Sequence, residues 1–267
     1  MNLTKFLYVQ LITYLFMFLT SCNTEENNTT PDHTNNDLLW TQQESPFGKS
    51  LSQWVEAWWQ SLLVLDCAHQ PIPQDENYVF NDDHEIAFAY GPFAHIENGE
   101  QSSIQTRNVT PINKLNPTEH AHKVRIPLGK DLLIPVYQYF YDLRTVEQSV
   151  IPINLDELEI AKAQISKAMA ADVDTQSFHI ELDGIILSHP SQFLQLNDPF
   201  FFTAQPELAN CLDLPITGVH QAAITTGYYL FIKNLFEGRH FLKYSYTVNH
   251  QMHYKSMIID VILADTP

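Results

Sequence analysis

Hydrophobic residues recur at helical spacing between residues 50 and 65, a stretch that holds three of the four tryptophans in the chain. Ser50 and Gln53 form a capping-box pair, because each side chain can accept a backbone N–H at the start of the helix. The pattern predicts a buried tryptophan stripe with the later strands packed around it; the alternative is an exposed aromatic platform that stacks on sugars or bases. The apolar residues share one wide face of the helix, and they are Leu51, Trp54, Val55, Trp58, Trp59, Leu62 and Leu63.

Beyond residue 85, apolar and polar residues alternate with a period of two in several segments, as they do in half-buried strands. Residues 178–182 and 257–263 are examples, and Asp183-Gly184 is a signal for a two-residue hairpin turn. A narrower apolar stripe begins with a capping signal at Asn154 and ends near Asp172. Eight or nine strands with short turns predict a mainly β chain: a β-sandwich, jelly-roll or immunoglobulin-like, with an N-terminal Trp-rich helix and one further helix.

The N-terminus has the features of an export signal. An apolar run of residues 6–19 follows Lys5; it is too short for a bilayer span of roughly twenty residues and is typical of a signal-peptide core. The run ends in Leu19-Thr20-Ser21-Cys22, which resembles the bacterial lipobox, where a peptidase cleaves before a cysteine that carries diacylglycerol. The sequence therefore predicts lipid attachment, including palmitate, at Cys22. The alternative is an ordinary secretory signal followed by an unrelated cysteine.

These features divide the chain into a lipoprotein signal peptide at 1–21, a flexible polar tether at 22–45 and a single β-sandwich domain at 46–267. Several acyl chains hold a protein stably on a membrane that it does not cross. We therefore expect a bacterial cell-envelope location, lipid-anchored at the outer membrane, on its periplasmic or surface-exposed face. The membrane, through the lipid anchor, is the one partner that the sequence predicts.

Charge narrows the classes of partner. Removal of residues 1–21 leaves 13 basic against 31 acidic residues, a net charge of −18. Such a chain is repelled by phosphate backbones and by anionic lipid surfaces, so we expect no nucleic-acid binding. No phosphate-binding loop, nucleophile elbow or cysteine–base motif is present in the sequence, and we expect no cofactor and no catalytic residue.

Two cysteines remain in the mature chain besides Cys22. Cys67 and Cys211 lie in a protein expected in an oxidising compartment, where a disulfide can persist. The alternative is a pair of buried free thiols that act as small hydrophobic side chains. The sequence leaves both open.

A pair of histidines is the strongest candidate for metal binding. His120 and His122 would share one face of a strand, as two ligands of a cupin-like site do. Such a site also needs a nearby acid, for which only Asp131 is available, and a distant third histidine. Because the ligand set is incomplete, we expect no metal. His240, within an alternating strand, is expected to be structural. His250 and His253 flank a hairpin tip and are expected to be solvated.

Five short blocks occur in a defined order along the chain. In that order they resemble an uncharacterised family of secreted bacterial proteins, with the resemblance spanning residues 47–246. It implies secretion and the fold, and it implies no activity and no catalytic residue. Members often carry a cysteine just before the second block, where this chain has Val124 and Arg125, so their disulfide to the position of Cys67 is not implied here. The blocks are Trp54-x3-Trp58-Trp59, Ile126-Pro127-Leu128-Gly129-Lys130, Asp183-Gly184, Gly227-Tyr228-Tyr229 and Gly238-Arg239-His240.

Three hypotheses for function remain from the sequence. The first is a lipid-anchored envelope protein that binds a partner without catalysis. The second is a metal-dependent, cupin-like envelope enzyme that uses His120 and His122. The third is a purely structural envelope protein.

Overall fold

The computed structural model describes residues 38–68, 79–81, 85–91, 93–97, 100–104, 122–142, 155–187, 190–212, 214, 216 and 218–263. These residues belong to one compact unit, which begins at Asn35. The predicted signal peptide, Cys22, most of the predicted tether and His120 lie outside the described residues.

Thirteen strands and three helices form the described part of the chain. The helices are α1 (Leu51–Leu63), α2 (Leu155–Asp172) and α3 (Leu208–Leu212). The strands are β1 (Val79–Asn81), β2 (Ile86–Ala89), β3 (Phe93–Glu97), β4 (Glu100–Ile104), β5 (His122–Pro127), β6 (Asp131–Asp142), β7 (Val173–Leu182), β8 (Ile185–Ile186), β9 (Leu194–Leu196), β10 (Phe200–Phe202), β11 (Gln221–Ile232), β12 (Gly238–Val248) and β13 (Gln251–Ile262).

The prediction of eight or nine strands and two helices was too low for a physical reason. Seven of the strands have five residues or fewer, and α3 has five residues. Segments of this length are too short to show a periodic pattern of apolar residues. They acquire their structure from the neighbours they pair with.

The strands form two sheets, which confirms the predicted β-sandwich. The first sheet has the order β1-β2-β6-β11-β10, with β3 pairing with β4 and β6, and β9 pairing with β11. The second sheet has the order β5-β13-β12-β7-β8. Three of the pairings are parallel, namely β2 with β6, β3 with β6, and β5 with β13. Each needs a long connection between the paired strands, and the alternation of apolar residues gave no sign of such connections.

The central strands of the first sheet, β6 and β11, are buried on both faces. Strand β6 is a nearly continuous apolar run, as expected of a strand with no solvent-exposed face. Ile134 and Tyr139 contribute to the core between the two sheets, whereas Leu133 and Phe140 contribute to a second core on the outer face. Successive side chains of β11 point to opposite faces of the sheet, so this strand also supplies side chains to both cores.

Helix α1 covers the outer face of the first sheet. Ser50 Oγ accepts the backbone N–H of Gln53 at 3.2 Å and Gln53 Oε1 accepts that of Ser50 at 2.8 Å, which confirms the capping box. All seven residues of the predicted stripe are buried. The expectation that the strands pack around this helix is wrong, because one apolar stripe can contact only one sheet face. The helix packs on that face, and the core between the sheets is separate from it.

The domain begins before residue 46. Leu39 is buried and bridges to Ile232 at the end of β11, and the backbone N–H of Trp40 donates to Phe231 O at 2.9 Å. The indole N–H of Trp40 donates to Asp131 Oδ2 at 2.5 Å. The predicted end of the tether at residue 45 is therefore wrong. The apolar residues at 38–40 continue the pairing of the first sheet, and the polar composition around them concealed this.

The block Gly227-Tyr228-Tyr229 lies where β11 crosses closest to β6. A Cβ on Gly227 would lie 2.6 Å from Gln138 Cβ, so this position excludes every other residue type at the observed spacing. Tyr228 then joins the core between the sheets and Tyr229 joins the core beneath α1, where its hydroxyl donates to Gln138 Oε1 at 2.8 Å. The block is thus explained by packing on both faces of the first sheet.

The predicted second helix is α2, which packs its apolar side against the core between the sheets. Ala161, Ile165 and Met169 are buried there. Tyr139 on β6 donates its hydroxyl to Asp172 Oδ2 at 2.5 Å, at the end of the helix. Among the described helices, none is long and apolar enough to cross a bilayer.

Candidate functional site

The tryptophan stripe does not form a surface platform. Trp54, Trp58 and Trp59 are at most 1% exposed, and the indole N–H groups of Trp54 and Trp58 donate to the carbonyl oxygens of Pro46 and Ala89. A stacking platform needs open ring faces. The interpretation of these residues as a sugar- or base-binding site is therefore wrong.

The structure joins Cys67 and Cys211 in a disulfide, with their Cα atoms 5.9 Å apart. The sequence left open whether these cysteines form a disulfide or remain free thiols, and the structure has the disulfide. The bridge links the segment that follows α1 to α3, across 144 residues of sequence. The bridge lies on the outer face of the first sheet, which α1 and α3 cover and which we call the helical side of the sandwich. There it can stabilise the fold.

His240 is a structural histidine, as predicted. Its ring is almost fully buried, with Nδ1 2.6 Å from Asp183 Oδ2 and Nε2 2.9 Å from the carbonyl oxygen of Phe236. Asp183 has a positive φ of 52° in the turn between β7 and β8, where the Asp183-Gly184 hairpin was predicted. Both ring nitrogens are therefore occupied by neighbours that hold the turn in place.

His253 is buried, so the expectation that it is solvated is wrong. Its ring stacks on Tyr246 with the centroids 5.2 Å apart. The turn between β12 and β13 consists of Asn249 and His250, and His250 is exposed there as expected. Because β13 begins immediately after this turn, its alternation already places His253 on the inward side.

His122, the described member of the predicted histidine pair, lies at the start of β5. Burial and the nearby charge of Lys255 lower the pKa of His122 to about 4. Asp131, the acid that a cupin-like site would use, accepts the indole N–H of Trp40, and burial raises the pKa of Asp131. Among the described residues, no group of three or more histidine, cysteine, aspartate or glutamate side chains is arranged to hold a metal ion.

One sheet face combines exposed apolar and basic side chains. It is the outward face of the second sheet, which we call the open face. The side chains that alternate with the buried ones point outward here, and the registers of β5, β13, β12, β7 and β8 bring them side by side. The open face is formed by Lys123, Arg125, Glu181, Ile186, Arg239, Phe241, Lys243, Ile258 and Asp260.

The apolar part of the open face is centred on Phe241. This side chain is 44% exposed and lies directly opposite Ile258 on β13. Ile186 on β8 is 57% exposed and extends the apolar surface toward the edge of the sheet. With strands about 4.8 Å apart and same-face residues about 7 Å apart along a strand, the face measures roughly 20 Å by 15 Å.

Basic side chains outnumber acidic ones on the open face. Arg239 forms two hydrogen bonds with Asp260, at 2.7 Å and 3.1 Å, and Lys243 pairs with Glu181 at 3.0 Å. The hydrogen bond from Arg239, and then the charges of Arg239, Arg125 and Lys123, lower the pKa of Asp260 against the opposing effect of its burial. Around Phe241, four bases thus face two acids, in a chain whose formal net charge is −17; a third acid of the outward side, Asp174, lies opposite Thr247 toward the far end of β12.

The open face was not predicted from the sequence. Its members come from five strands that the sheet brings together, and no short window of sequence contains more than three of the nine. A signal was nevertheless present. Phe241 and Ile258 are apolar residues on the polar side of two alternating strands, where a solvated sheet face normally carries polar residues.

No protein-family profile matches this chain, and no curated protein sequence matches it. Among solved structures, it is similar to the cysteine protease inhibitor EhICP2 from Entamoeba histolytica, with 11% identity and a TM-score of 0.19 over 52% of this chain and 86% of that chain. It is also similar to PbICP-C, solved in complex with falcipain-2, with 9% identity and a TM-score of 0.18 over 57% of this chain and 98% of that chain. At these TM-scores neither similarity carries an argument.

Proposed function

We propose that this chain is a lipid-anchored protein of the bacterial cell envelope that binds a protein partner through the open face and does not catalyse a reaction. The lipobox-like Leu19-Thr20-Ser21-Cys22 supports the anchor. The observation that carries the binding function is the open face itself, which combines exposed Phe241 and Ile186 with an excess of basic groups.

The charge of the open face indicates the partner. On a chain with 31 acidic and 14 basic residues, a random patch is acidic, whereas this face carries four bases against two acids. A local positive surface attracts an acidic one and orients it on approach. The strongly negative remainder of the chain repels long polyanions and anionic bilayers. A protein surface with a few acidic side chains around an apolar centre fits both conditions.

The shape of the open face also favours a protein. A flat sheet surface offers a small molecule no concavity in which to bury itself, and small ligands bind in clefts. Protein interfaces are flat enough for such a face, with apolar and aromatic anchors at the centre and charged residues at the rim. Phe241 has the central position here, and Lys123, Arg125 and Arg239 lie around it.

For the anchor, we expect Cys22→Ser to move the protein from the membrane fraction to the soluble fraction and to abolish incorporation of radiolabelled palmitate. A diacylglyceryl group joined by a thioether requires the sulfur of this cysteine, and its acyl chains hold the protein on the membrane. Cys211→Ser is the matched control and should remain labelled. Equal palmitate labelling of the wild type and Cys22→Ser would contradict the lipobox interpretation.

For the open face, we expect a photo-crosslinking residue, p-benzoylphenylalanine, placed at Phe241 in intact cells of the source organism to form one predominant protein adduct. The same residue at Phe47, which is 50% exposed beside the helical side of the sandwich, should not form it. Lys123→Glu with Arg125→Glu should lower the adduct yield about tenfold, because complementary rim charges govern association.

The matched control for the charge reversal is Lys49→Glu with Lys167→Glu, which changes the net charge equally at exposed positions outside the open face. This control should leave the yield within about twofold, since charges distant from an interface are screened. Equal adducts from Phe241 and Phe47, or equal loss in both charge-reversed variants, would exclude docking at this face. The absence of any adduct at Phe241 would favour a purely structural envelope protein.

A further inference from the structure

Four exposed apolar side chains lie at one end of the sandwich, where β12 begins and β13 ends. They are Leu128, Phe236, Ile262 and Leu263, and we call them the apolar end. Phe236 is 74% exposed, the largest value for a large apolar side chain among the described residues, and Leu263 is 59% exposed. Single exposed apolar side chains are common on soluble proteins, whereas a group of them marks a contact surface.

The register of the second sheet brings three of these side chains together. Ile262 on β13 pairs with Pro127, the last residue of β5. One residue further on, the backbone N–H of Leu128 donates to Ile262 O at 2.6 Å. Leu263 follows Ile262 directly, so these three residues form one group beyond the end of the paired strands.

Phe236 joins the group from the connection between β11 and β12. It lies two residues before Gly238, where β12 begins. The carbonyl oxygen of Phe236 is 2.9 Å from Nε2 of His240, and the two rings meet edge-on with their centroids 4.5 Å apart. Leu235 beside it is buried in the core between the sheets. These contacts fix the connection with the Phe236 ring in solvent, so little further ordering is needed when the ring enters an apolar phase.

The chain enters the sandwich at the same end. The first described residues pair antiparallel with the end of β11, and the backbone N–H of Lys233 donates to Leu38 O at 2.9 Å. Leu38 therefore lies beside a residue only three positions before Phe236. Residues 23–37 connect this point to Cys22, and a segment of that length spans roughly 55 Å at most.

We propose that the apolar end inserts into the interface of the bilayer that holds the lipid anchor, with the strands end-on to the membrane. The proposal rests on the lipid anchor at Cys22 proposed above. Apolar side chains bind at the boundary between headgroups and acyl chains, within about 5–10 Å of the surface. In this orientation the open face, which is a side of the sandwich, stays accessible to a protein partner.

The point of entry of the chain decides between the two ends of the sandwich. The opposite end also exposes apolar side chains, such as Met252 in the turn between β12 and β13. Ten residues of β13 separate Met252 from Ile262, a distance of about 33 Å along an extended strand. A tether makes docking an intramolecular step with an effective concentration that falls with the distance to be spanned. The apolar end is therefore favoured.

Charge does not supply the attraction to the bilayer. Near the apolar end Lys233 pairs with Glu44 at 3.2 Å, and Arg239 pairs with Asp260 at 2.7 Å. The chain without residues 1–21 carries a net charge of −18, which opposes contact with anionic lipid. Apolar contact therefore carries the docking, and vesicles of zwitterionic phosphatidylcholine are the appropriate probe.

Quenching of fluorescence by lipid tests the orientation. The full chain, acylated in a bacterial host, is reconstituted in phosphatidylcholine vesicles with brominated acyl chains, and a fluorophore is attached to Asn234→Cys. This fluorophore should lose most of its emission. The same fluorophore on Gln251→Cys should keep its emission, because Gln251 lies in the register pair next to the opposite turn. Both positions are exposed and carry neutral amides, so the two labelled chains are matched.

A pair of substitutions tests whether the apolar side chains carry the docking. Phe236→Ser with Leu263→Ser should lower the ratio of docked to free domain about tenfold or more, as loss of buried apolar area does. The matched control is Met252→Ser with Val219→Ser, which removes side chains that are 57% and 63% exposed. This control should leave the ratio within about twofold, and exposed substitutions of this kind preserve the fold.

The outcomes separate this proposal from the proposed anchor. Equal quenching at Asn234 and Gln251, in a chain that carries lipid at Cys22, would overturn the orientation and leave the anchor intact. A chain without lipid at Cys22 would refute the anchor and the docking together. Equal loss of quenching in both pairs of variants would overturn the role of the apolar end. Disulfide-linked dimers of Asn234→Cys without lipid quenching would assign this end to a second copy of the chain, which also overturns the proposal.

Discussion

Replacing Trp58 with alanine is expected to lower the free energy of unfolding by about 3–5 kcal/mol, which is typical of large aromatic-to-alanine changes in a core. Trp58 is 0% exposed and packs edge-on against Trp59 with the ring centroids 5.0 Å apart. Its indole N–H also donates to Ala89 O at 2.8 Å, which ties α1 to the end of β2. The variant loses ring contacts and leaves that carbonyl without its donor. Urea denaturation followed by tryptophan fluorescence or circular dichroism measures the change.

Two further variants separate these contributions. Trp58→Phe keeps most of the ring volume and removes the hydrogen bond, so we expect a smaller loss, about 1–3 kcal/mol. Val64→Ala, at the exposed end of α1, should change the free energy of unfolding by less than about 0.5 kcal/mol. If Trp58→Ala unfolds at the same urea concentration as the wild type, α1 is not anchored through this side chain in solution.

The features that could be predicted from sequence are those that a short segment determines by itself. The capping box of Ser50 and Gln53 and the apolar stripe of α1 need only a few turns of helix, and both are as predicted. The Asp183-Gly184 turn is also local, since its geometry depends on two residues that tolerate positive φ. The alternation at residues 257–263 gave the inward side of that part of β13 correctly.

The features that could not be predicted depend on which segments meet. A periodic pattern shows that α1 has a buried face, and it does not show that this face covers the outside of one sheet. The role of Leu39 depends on the end of β11, nearly two hundred residues later. The open face has the same origin, because it is assembled from separate strands by the register of the second sheet.

His253 shows how a local rule can mislead. Its position next to a hairpin tip suggested solvation, and the turn itself is indeed exposed. The strand resumes without a spacer, however, and alternation places His253 inward, against Tyr246. Extending the alternation of β13 backward from Met257 in steps of two reaches Lys255 and then His253. The alternation therefore places both residues on the inward side.

Removal of the disulfide is expected to lower the free energy of unfolding by about 2–5 kcal/mol, because the crosslink restricts the unfolded chain. Cys67 and Cys211 are separated by 144 residues, and the enclosed segment contains β1 to β10. A loop of this length gives a large entropic effect in the chain-entropy account, toward the upper end of that range. Urea denaturation of the Cys67→Ser, Cys211→Ser variant, compared with the wild type, measures the difference.

The physical origin of the effect can be tested in the same experiment. A crosslinked unfolded chain is more compact, so the variant should show a steeper dependence of the free energy on urea concentration, since that slope scales with the surface exposed on unfolding. A reducing agent should destabilise the wild type to the level of the double variant and leave the double variant itself unchanged. Equal stability of wild type and variant under oxidising conditions, with no effect of the reductant, would mean that the two cysteines remain free thiols in solution. The link between α1 and α3 would then rest on packing alone, through the core that the tryptophan stripe shares with Leu208 and Leu212.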